Sequence, residues 1–213
     1  MRDRKQEIIS RLLELCGRTY PDELDIHVER NTPSEWFKLL VFALLASTRI
    51  SKDLSVRTAR EIFKEGWTTP QKMAQTTWQQ RVDVLDRGGY ARYDESTSRY
   101  LGYTAALLVE RYGGDLRRLR EAAGRQPERE RELLKEFKGI GDVGCDIFFR
   151  DAQAVWEELY PFADRRALRA AEQLGLGSAP AELAKLASGK DFVRLIGALA
   201  RCDLEKRYAE VAA

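Results

Sequence analysis

This chain of 213 residues has few of the side chains on which many catalytic and metal sites depend. It contains one histidine, His27, and three widely separated cysteines, Cys16, Cys145 and Cys202. A lone histidine argues against a Ser-His-Asp or Cys-His mechanism. The thiols have no C-x-x-C spacing, which argues against a disulfide framework, a structural zinc site and an iron–sulfur cluster. Scattered thiols fit a reducing cytoplasm, where we expect the protein to reside.

Long apolar runs and a strong excess of charge are also missing. No apolar stretch reaches the roughly 18 residues that a membrane helix needs, and the charged residues 1–7 do not resemble a signal peptide. We therefore expect no membrane partner, and we expect a monomer. The 36 basic and 34 acidic residues give a net charge of only +2. Any nucleic-acid site must therefore be a local patch.

Alternating strand patterns are almost absent, and apolar residues three and four positions apart predominate. This periodicity predicts an all-α protein. Thr32 and Pro33 are typical of a helix start, and residues 36–46 are apolar on nearly every side. A helix of that kind is buried at the centre of a bundle.

Residues 133–149 read LLKEFKGIGDVGCDIFF and predict two helices joined by a short turn. The second helix is predicted to continue to about Glu158. Glycines at 139 and 141 allow a close helix crossing and leave backbone amides bare at the start of the second helix, an arrangement that binds phosphate. The pattern resembles the helix-hairpin-helix of non-sequence-specific DNA-binding proteins. The alternative is that both glycines serve helix packing only.

Three separated segments together resemble the endonuclease III-like branch of the helix-hairpin-helix (HhH-GPD) DNA glycosylases. The first is Phe37 to Ser47, which is similar to that family's buried helix and the loop after it. The second is Leu134 to Cys145, similar to its hairpin. The third is Ala163-Asp164 with Leu168-Arg169, similar to its Val-Asp-Thr segment. The likeness spans about residues 30–202.

The resemblance implies an all-α, two-lobed endonuclease III-like fold. A six-helix barrel containing the helix-hairpin-helix would comprise residues 34–151. The N- and C-terminal residues, 1–33 and 152–213, would form a second helical lobe that carries Asp164.

The resemblance also defines the expected chemistry. Family members that cleave the DNA strand have a lysine nucleophile where this chain has Val143, so no Schiff base and no β-lyase step are expected. Asp164 matches the family's catalytic aspartate, although capping the following helix would be a sufficient role for it. A carboxylate stabilises an oxocarbenium-like sugar and activates water. Cys202 lies near the first ligand of the family's iron–sulfur cluster, but the other three ligands are absent and we expect no cluster.

The expected partner is double-stranded DNA that contains a lesion or an abasic site. Thr48 stands where the family has a gap-filling glutamine, Arg49 beside it is a candidate replacement, and Tyr90 matches a hydrophobic wedge. The hairpin would bind a monovalent cation, K+ or Na+, through the backbone carbonyls of Lys135, Phe137 and Ile140. No other cofactor is expected. The candidate DNA contacts are Lys138, Gly139, Ile140, Gly141, Asp142, Val143, Gly144, Thr48, Arg49 and Tyr90.

Two functions compete, with a third well behind them. The first is a monofunctional glycosylase that flips and excises a damaged or mismatched base with Asp164 and water, and it is favoured by Asp164 and Arg169. The second is a non-catalytic binder of damaged, bent or abasic DNA, and it is favoured by Val143 and Thr48. The third, a helical protein–protein adaptor, predicts no affinity for DNA.

Overall fold

A computed structural model describes residues 2–48, 50–91 and 93–213 of the chain. Within these ranges the protein consists of helices and their connections, without a β-strand, so the all-α prediction is confirmed. No helix in the described ranges combines the length and the apolar composition needed to cross a membrane.

The helices follow one another with short connections. In chain order they are α1 (Arg2–Cys16), α2 (Tyr20–Leu24), α3 (Pro33–Ala46), α4 (Lys52–Lys64), α5 (Pro70–Ala74), α6 (Trp78–Arg87), α7 (Asp94–Tyr112), α8 (Leu116–Ala122), α9 (Pro127–Lys135), α10 (Asp142–Ala152), α11 (Arg165–Gln173), α12 (Pro180–Leu183), α13 (Gly189–Glu205) and α14 (Tyr208–Ala212). Single turns of 3-10 helix occur at Val28–Arg30 and Glu157–Leu159.

The chain divides into two compact units. The hairpin unit comprises residues 24–148, and the terminal unit comprises residues 1–23 and 149–213. These limits differ from the predicted 34–151 and 1–33 with 152–213. Residues 24–33 belong to the hairpin unit because they are bonded to α3: Trp36 Nε1 donates to Asn31 Oδ1 (2.8 Å), and the His27 amide donates to Glu35 Oε2 (2.7 Å).

The buried helix predicted from residues 36–46 is α3, the core of the hairpin unit. Thr32 caps its first turn by accepting from the Glu35 amide, and Pro33 occupies the first helical position. Eight of the nine residues from 37 to 45 are essentially inaccessible to solvent, and the ninth, Lys38, is partly exposed. Trp36 packs against Phe148 of α10, with ring centroids 6.0 Å apart. The second hairpin helix is thereby tied to the centre of its unit.

In the terminal unit, α1, α11 and α13 pack around one apolar core. Ala167, Ala170 and Ala171 line the buried face of α11, and its arginines occupy the exposed face. Small alanine side chains allow close helix packing on one side while the other stays charged. This division leaves α11 with a basic outer surface.

The helix after the hairpin is shorter than predicted, because α10 ends at Ala152 and not near Glu158. Gln153 follows it and bonds to both backbone groups of Phe162, donating to the carbonyl (3.0 Å) and accepting from the amide (2.9 Å). Trp156, fully buried, fills the connection. Hydrogen bonds from the Gln153 side chain to the backbone of Phe162, nine residues later, thus take the place of the predicted helical continuation.

Candidate functional site

The hairpin turn between α9 and α10 depends on Gly139. Its φ angle is +93°, a conformation that side chains with a Cβ rarely adopt. A Cβ at this position would also lie 2.9 Å from Cδ2 of the Tyr100 ring. Ile140 points inward, only 5% exposed, and its amide donates to the Phe137 carbonyl (2.9 Å). Gly139 therefore has a packing role, which is the role that the alternative interpretation of the sequence gave to both glycines.

Gly141 differs from Gly139, because packing does not require it. A Cβ built on Gly141 would meet no atom within 4 Å, and its φ angle is not in the left-handed range. It precedes α10, whose first amides have no helical carbonyl partner and whose dipole favours anions. Lys138, Gly141 and Val143 are exposed around these amides. This part of the turn has the form of a phosphate site.

The loop after α3 is bonded directly to the turn. Ser47 Oγ donates to the Gly139 carbonyl (3.1 Å) and lies 2.8 Å from the Leu44 carbonyl. A Cβ on the buried Gly144 would lie 3.6 Å from Ser47 Cβ, so the loop also passes close to the first turn of α10. Two segments that the resemblance assigned to DNA contact are therefore neighbours. The candidate residue Arg49 lies outside the described residues.

Tyr90 occupies a different place from the one predicted. Its side chain is 1% exposed, and its hydroxyl donates to the Leu45 carbonyl (3.0 Å) and lies 2.6 Å from Thr48 Oγ1. Burial raises the pKa of this phenol. A wedge that enters a base stack must be exposed, so the predicted wedge role conflicts with this position. Tyr90 instead supports Thr48, which is partly exposed.

Four charged side chains surround the start of α10. Asp142, the first residue of α10, accepts from Lys135 Nζ (2.9 Å), and Arg131 pairs with Asp146 (2.7 Å). Asp142 is mostly exposed, and the hydrogen bond from Lys135 lowers the pKa of its carboxyl. The hairpin thus carries its own carboxylate beside the amides that would bind phosphate.

Asp164 caps α11 and forms a buried ion pair. Its Oδ1 accepts from the amides of Arg166 (2.8 Å) and Ala167 (3.3 Å), while Oδ2 accepts from Arg150 at Nε (2.8 Å) and Nη2 (2.6 Å). Both side chains are nearly inaccessible, 6% exposed for Arg150 and 3% for Asp164. Burial would lower the pKa of the Arg150 guanidinium, but the adjacent Asp164 and Asp151 raise it. The carboxylate predicted to be catalytic is therefore fixed and charge-compensated in this conformation.

A second buried carboxylate, Asp151, lies beside this pair. Within the described residues, its Oδ2 has no hydrogen-bond partner. Burial raises the pKa of Asp151 to about 7; Arg150 opposes this shift, and the charges of Asp22 and Asp164 add to it. Arg150 is thus flanked by two carboxylates, of which only Asp164 is fully bonded.

The carbonyls predicted to bind a cation are those of Lys135, Phe137 and Ile140. Phe137 O accepts the Ile140 amide and retains a second lone pair, and Lys135 lies in the last turn of α9, where carbonyls lack an intrahelical donor. Carbonyl oxygens are ligands that alkali cations accept, and the cation site stays a prediction. Across the described part of the chain, no group of three or more His, Cys, Asp or Glu side chains is arranged to hold a metal. The three cysteines are buried, and burial raises the pKa of Cys145 and Cys202 to about 11.

Comparison with solved structures identifies the architecture. A structure described as a trapped endonuclease III–DNA covalent intermediate, in an estranged-adenine complex, superposes with a TM-score of 0.53. The match covers 95% of this chain and 85% of the other, at 15% sequence identity. The chain has an endonuclease III-like fold. No protein-family model matches the sequence, and no curated protein matches it.

Three residues that support the candidate site were not predicted from the sequence. Ser47 and Tyr100 hold the Gly139 turn, and Arg150 pairs with Asp164. The sequence around Arg150 does indicate a buried ion pair. A charged residue directly after Ile147, Phe148 and Phe149 needs a partner of opposite charge if that helix is buried. No sequence pattern indicates the contacts of Ser47 and Tyr100 with the turn, because the turn is remote from both residues in sequence.

Proposed function

We propose that the protein binds duplex DNA containing a lesion or an abasic site through its hairpin, as part of DNA repair. The observation that carries this proposal is the exposed turn at Gly141, where bare amides and Lys138 are accessible and no packing demand explains the glycine. Phosphate binding by helix N-terminal amides depends little on base sequence. Recognition of the lesion itself then requires a base to leave the stack.

Replacing Gly141 by alanine separates DNA binding from packing. The added methyl meets no protein atom, so we expect the free energy of unfolding to fall by less than about 1 kcal/mol, most of it from the poorer helix capping by alanine. The same methyl would crowd a phosphate at the amides, so affinity for a fluorescein-labelled abasic duplex should fall about tenfold in anisotropy titrations. Gly197→Ala is the control, since Gly197 lies within α13, its φ is not in the left-handed range, and a Cβ there would make only an ordinary contact, 3.7 Å from Thr19 Cγ2. Unchanged DNA affinity in Gly141→Ala would contradict the phosphate site.

Replacing Asp142 by asparagine is expected to strengthen DNA binding. The change removes a carboxylate from beside the phosphate site and releases Lys135 from its ion pair. For exposed charges several Å apart the gain is on the order of threefold to tenfold at low salt, shrinking as salt screens it. Glu128→Gln, an exposed acid at the far end of α9, is the matched control. Weaker binding by Asp142→Asn would mean that Asp142 serves DNA binding in another way.

The chemistry we propose is that of a monofunctional DNA glycosylase. In this mechanism the Asp164 carboxylate stabilises the cationic sugar and orients water, and an abasic site is the product. Two amide hydrogen bonds hold Asp164 at the N-terminus of α11, which gives the carboxylate a fixed position. Val143, 53% exposed at the position of the family lysine, has no nucleophilic group. A covalent lyase step at this position is therefore not part of the proposal.

The buried Arg150–Asp164 pair favours a second candidate, a non-catalytic binder on the same scaffold. A carboxylate that is nearly inaccessible and bonded to a guanidinium has little capacity to act on water. Under this alternative Asp164 caps α11 and anchors Arg150, and the protein holds damaged, bent or abasic DNA without breaking a bond.

An excision panel distinguishes the two candidates. Duplexes with oxidised, alkylated, deaminated or mismatched bases are incubated with the protein and then treated with alkali. Strand breaks that require alkali indicate glycosylase activity, and tight binding without breaks indicates the non-catalytic binder. Breaks without alkali, together with covalent trapping by borohydride, would show that another amine replaces the lysine.

A further inference from the structure

A fully buried carboxylate gathers three cations on the surface of the terminal unit. Asp203, near the end of α13, accepts from Arg169 of α11 at Nε (2.8 Å) and Nη2 (2.5 Å). Arg166 Nη1 lies 3.2 Å and Lys206 Nζ lies 3.4 Å from the same carboxylate. We call these four residues the Asp203 cluster. Because three cations share one carboxylate, the cluster has a surplus of two positive charges.

The cations of the Asp203 cluster face solvent, although their anchor does not. Their side chains are 48%, 51% and 68% exposed for Arg166, Arg169 and Lys206, whereas that of Asp203 is 0% exposed. The hydrogen bond from Arg169 lowers the pKa of Asp203 strongly, burial opposes this, and a hydrogen bond from Tyr208 adds to the lowering. Asp203 therefore remains ionised throughout the neutral range and holds the cations constantly in place.

The arrangement prepares Arg169 for a second anion. A guanidinium has five N–H groups; Asp203 accepts from two of those on Arg169, and Tyr208 also bonds to this side chain. A planar fork that is already immobilised loses little further entropy when it binds a phosphate. The remaining donors and the surplus charge together suit a phosphodiester.

A purely structural clamp does not account for the whole cluster. Joining α11 to the end of α13 needs only the Arg169–Asp203 pair, and the other two cations add repulsion. Next to Lys206 along the chain, Glu205 and Glu210 do not balance its charge, because both pair with Arg207. An external anion would offset this surplus.

We propose that the Asp203 cluster is a second DNA-backbone surface of this protein, additional to the hairpin. The inference rests on the proposed DNA binding and extends it to the terminal unit. The cluster supplies phosphate contacts through Arg166, Arg169 and Lys206, and it contributes affinity that is independent of base sequence.

The test is the salt dependence of affinity for an abasic duplex, measured by anisotropy between 50 and 200 mM salt. In the double variant Arg166→Gln/Lys206→Gln, the slope of log affinity against log salt is expected to fall by about two, since each lost phosphate contact removes about 0.9. Arg169 is kept because it bonds Asp203. The control is Lys185→Gln/Lys190→Gln, which removes two exposed charges from the same unit, with Lys190 about 20 Å along α13 from Asp203.

The outcomes separate this inference from the function on which it rests. A slope lowered in the cluster variant but not in the control, with thermal unfolding unchanged, supports the surface. A slope equal in both double variants, but lowered by Lys138→Gln at the hairpin, overturns the Asp203 cluster and leaves hairpin binding intact. Absence of DNA binding by the wild-type protein overturns both.

Discussion

Replacing Asp164 by alanine is expected to lower the free energy of unfolding by about 5 kcal/mol. Removal of one partner of a buried ion pair costs about 3–5 kcal/mol, because the other charge remains unpaired in the low-dielectric protein interior. Here that charge is the guanidinium of Arg150, which is almost wholly inaccessible. Loss of the cap on α11 adds about 1 kcal/mol. Urea unfolding followed by circular dichroism measures the change.

Two further variants divide this loss into its parts. Asp164→Asn keeps a capping side chain, so its cost should come mainly from the unpaired Arg150. Arg150→Met combined with Asp164→Asn should recover most of the stability, since an apolar replacement of a buried pair is often neutral. A loss below about 1 kcal/mol in Asp164→Ala would show that the pair is solvated in solution.

The same pair determines how an excision assay must be interpreted. Loss of activity in Asp164→Asn reports chemistry only if Arg150→Gln remains active, because both changes break the ion pair and only one removes the carboxylate. Equal losses of activity in both variants would mean that the assay reports the structural disturbance around α11 and not the chemical role of the carboxylate.

Asp151→Asn is expected to stabilise the protein most at alkaline pH. Burial raises the pKa of Asp151 to about 7, so the folded chain retains a proton that the unfolded chain has released. Stability therefore falls as pH rises from the unfolded pKa of about 4 through the folded pKa of about 7. Asparagine is neutral and does not incur this loss. The variant should gain about 2–4 kcal/mol relative to wild type between pH 4.5 and pH 8.

The measurement is the unfolding free energy of both proteins across this pH range. Comparing the change with pH, and not the absolute values, removes any constant effect of the asparagine amide. Asp83→Asn, at an exposed position in α6, should follow the wild-type curve. Parallel curves for Asp151→Asn and wild type would mean that water or a rearrangement solvates Asp151.

Local sequence patterns predicted the helix starts, turns and caps that depend on residues close together in the chain. Thr32-Pro33 and the apolar residues after it gave α3 and its burial, and the glycines at 139 and 141 gave the hairpin turn. The cap at Asp164 also follows from its position before a helix. Each of these depends on residues within about one or two helical turns of each other.

Contacts between remote residues were not predictable in the same way. The burial of Tyr90 depends on Thr48 and Leu45, which lie more than 40 positions earlier, and this contact conflicts with the predicted wedge. The limits of the two units shifted because Asn31 bonds to Trp36 and Arg150 bonds to Asp164. Periodicity describes which face of a helix is apolar, but it does not say which partner that face meets.

The hydrogen bond from Ser47 to the Gly139 carbonyl joins residues 92 positions apart. Closing a loop over such a separation costs conformational entropy, which the packing of the whole unit offsets. The exposed surface at the hairpin is therefore assembled by the folding of the whole unit and is not a property of the two helices alone. A peptide of residues 127–152 would contain every residue of the turn and still lack the contacts from Ser47 and Tyr100 that hold Gly139 in place.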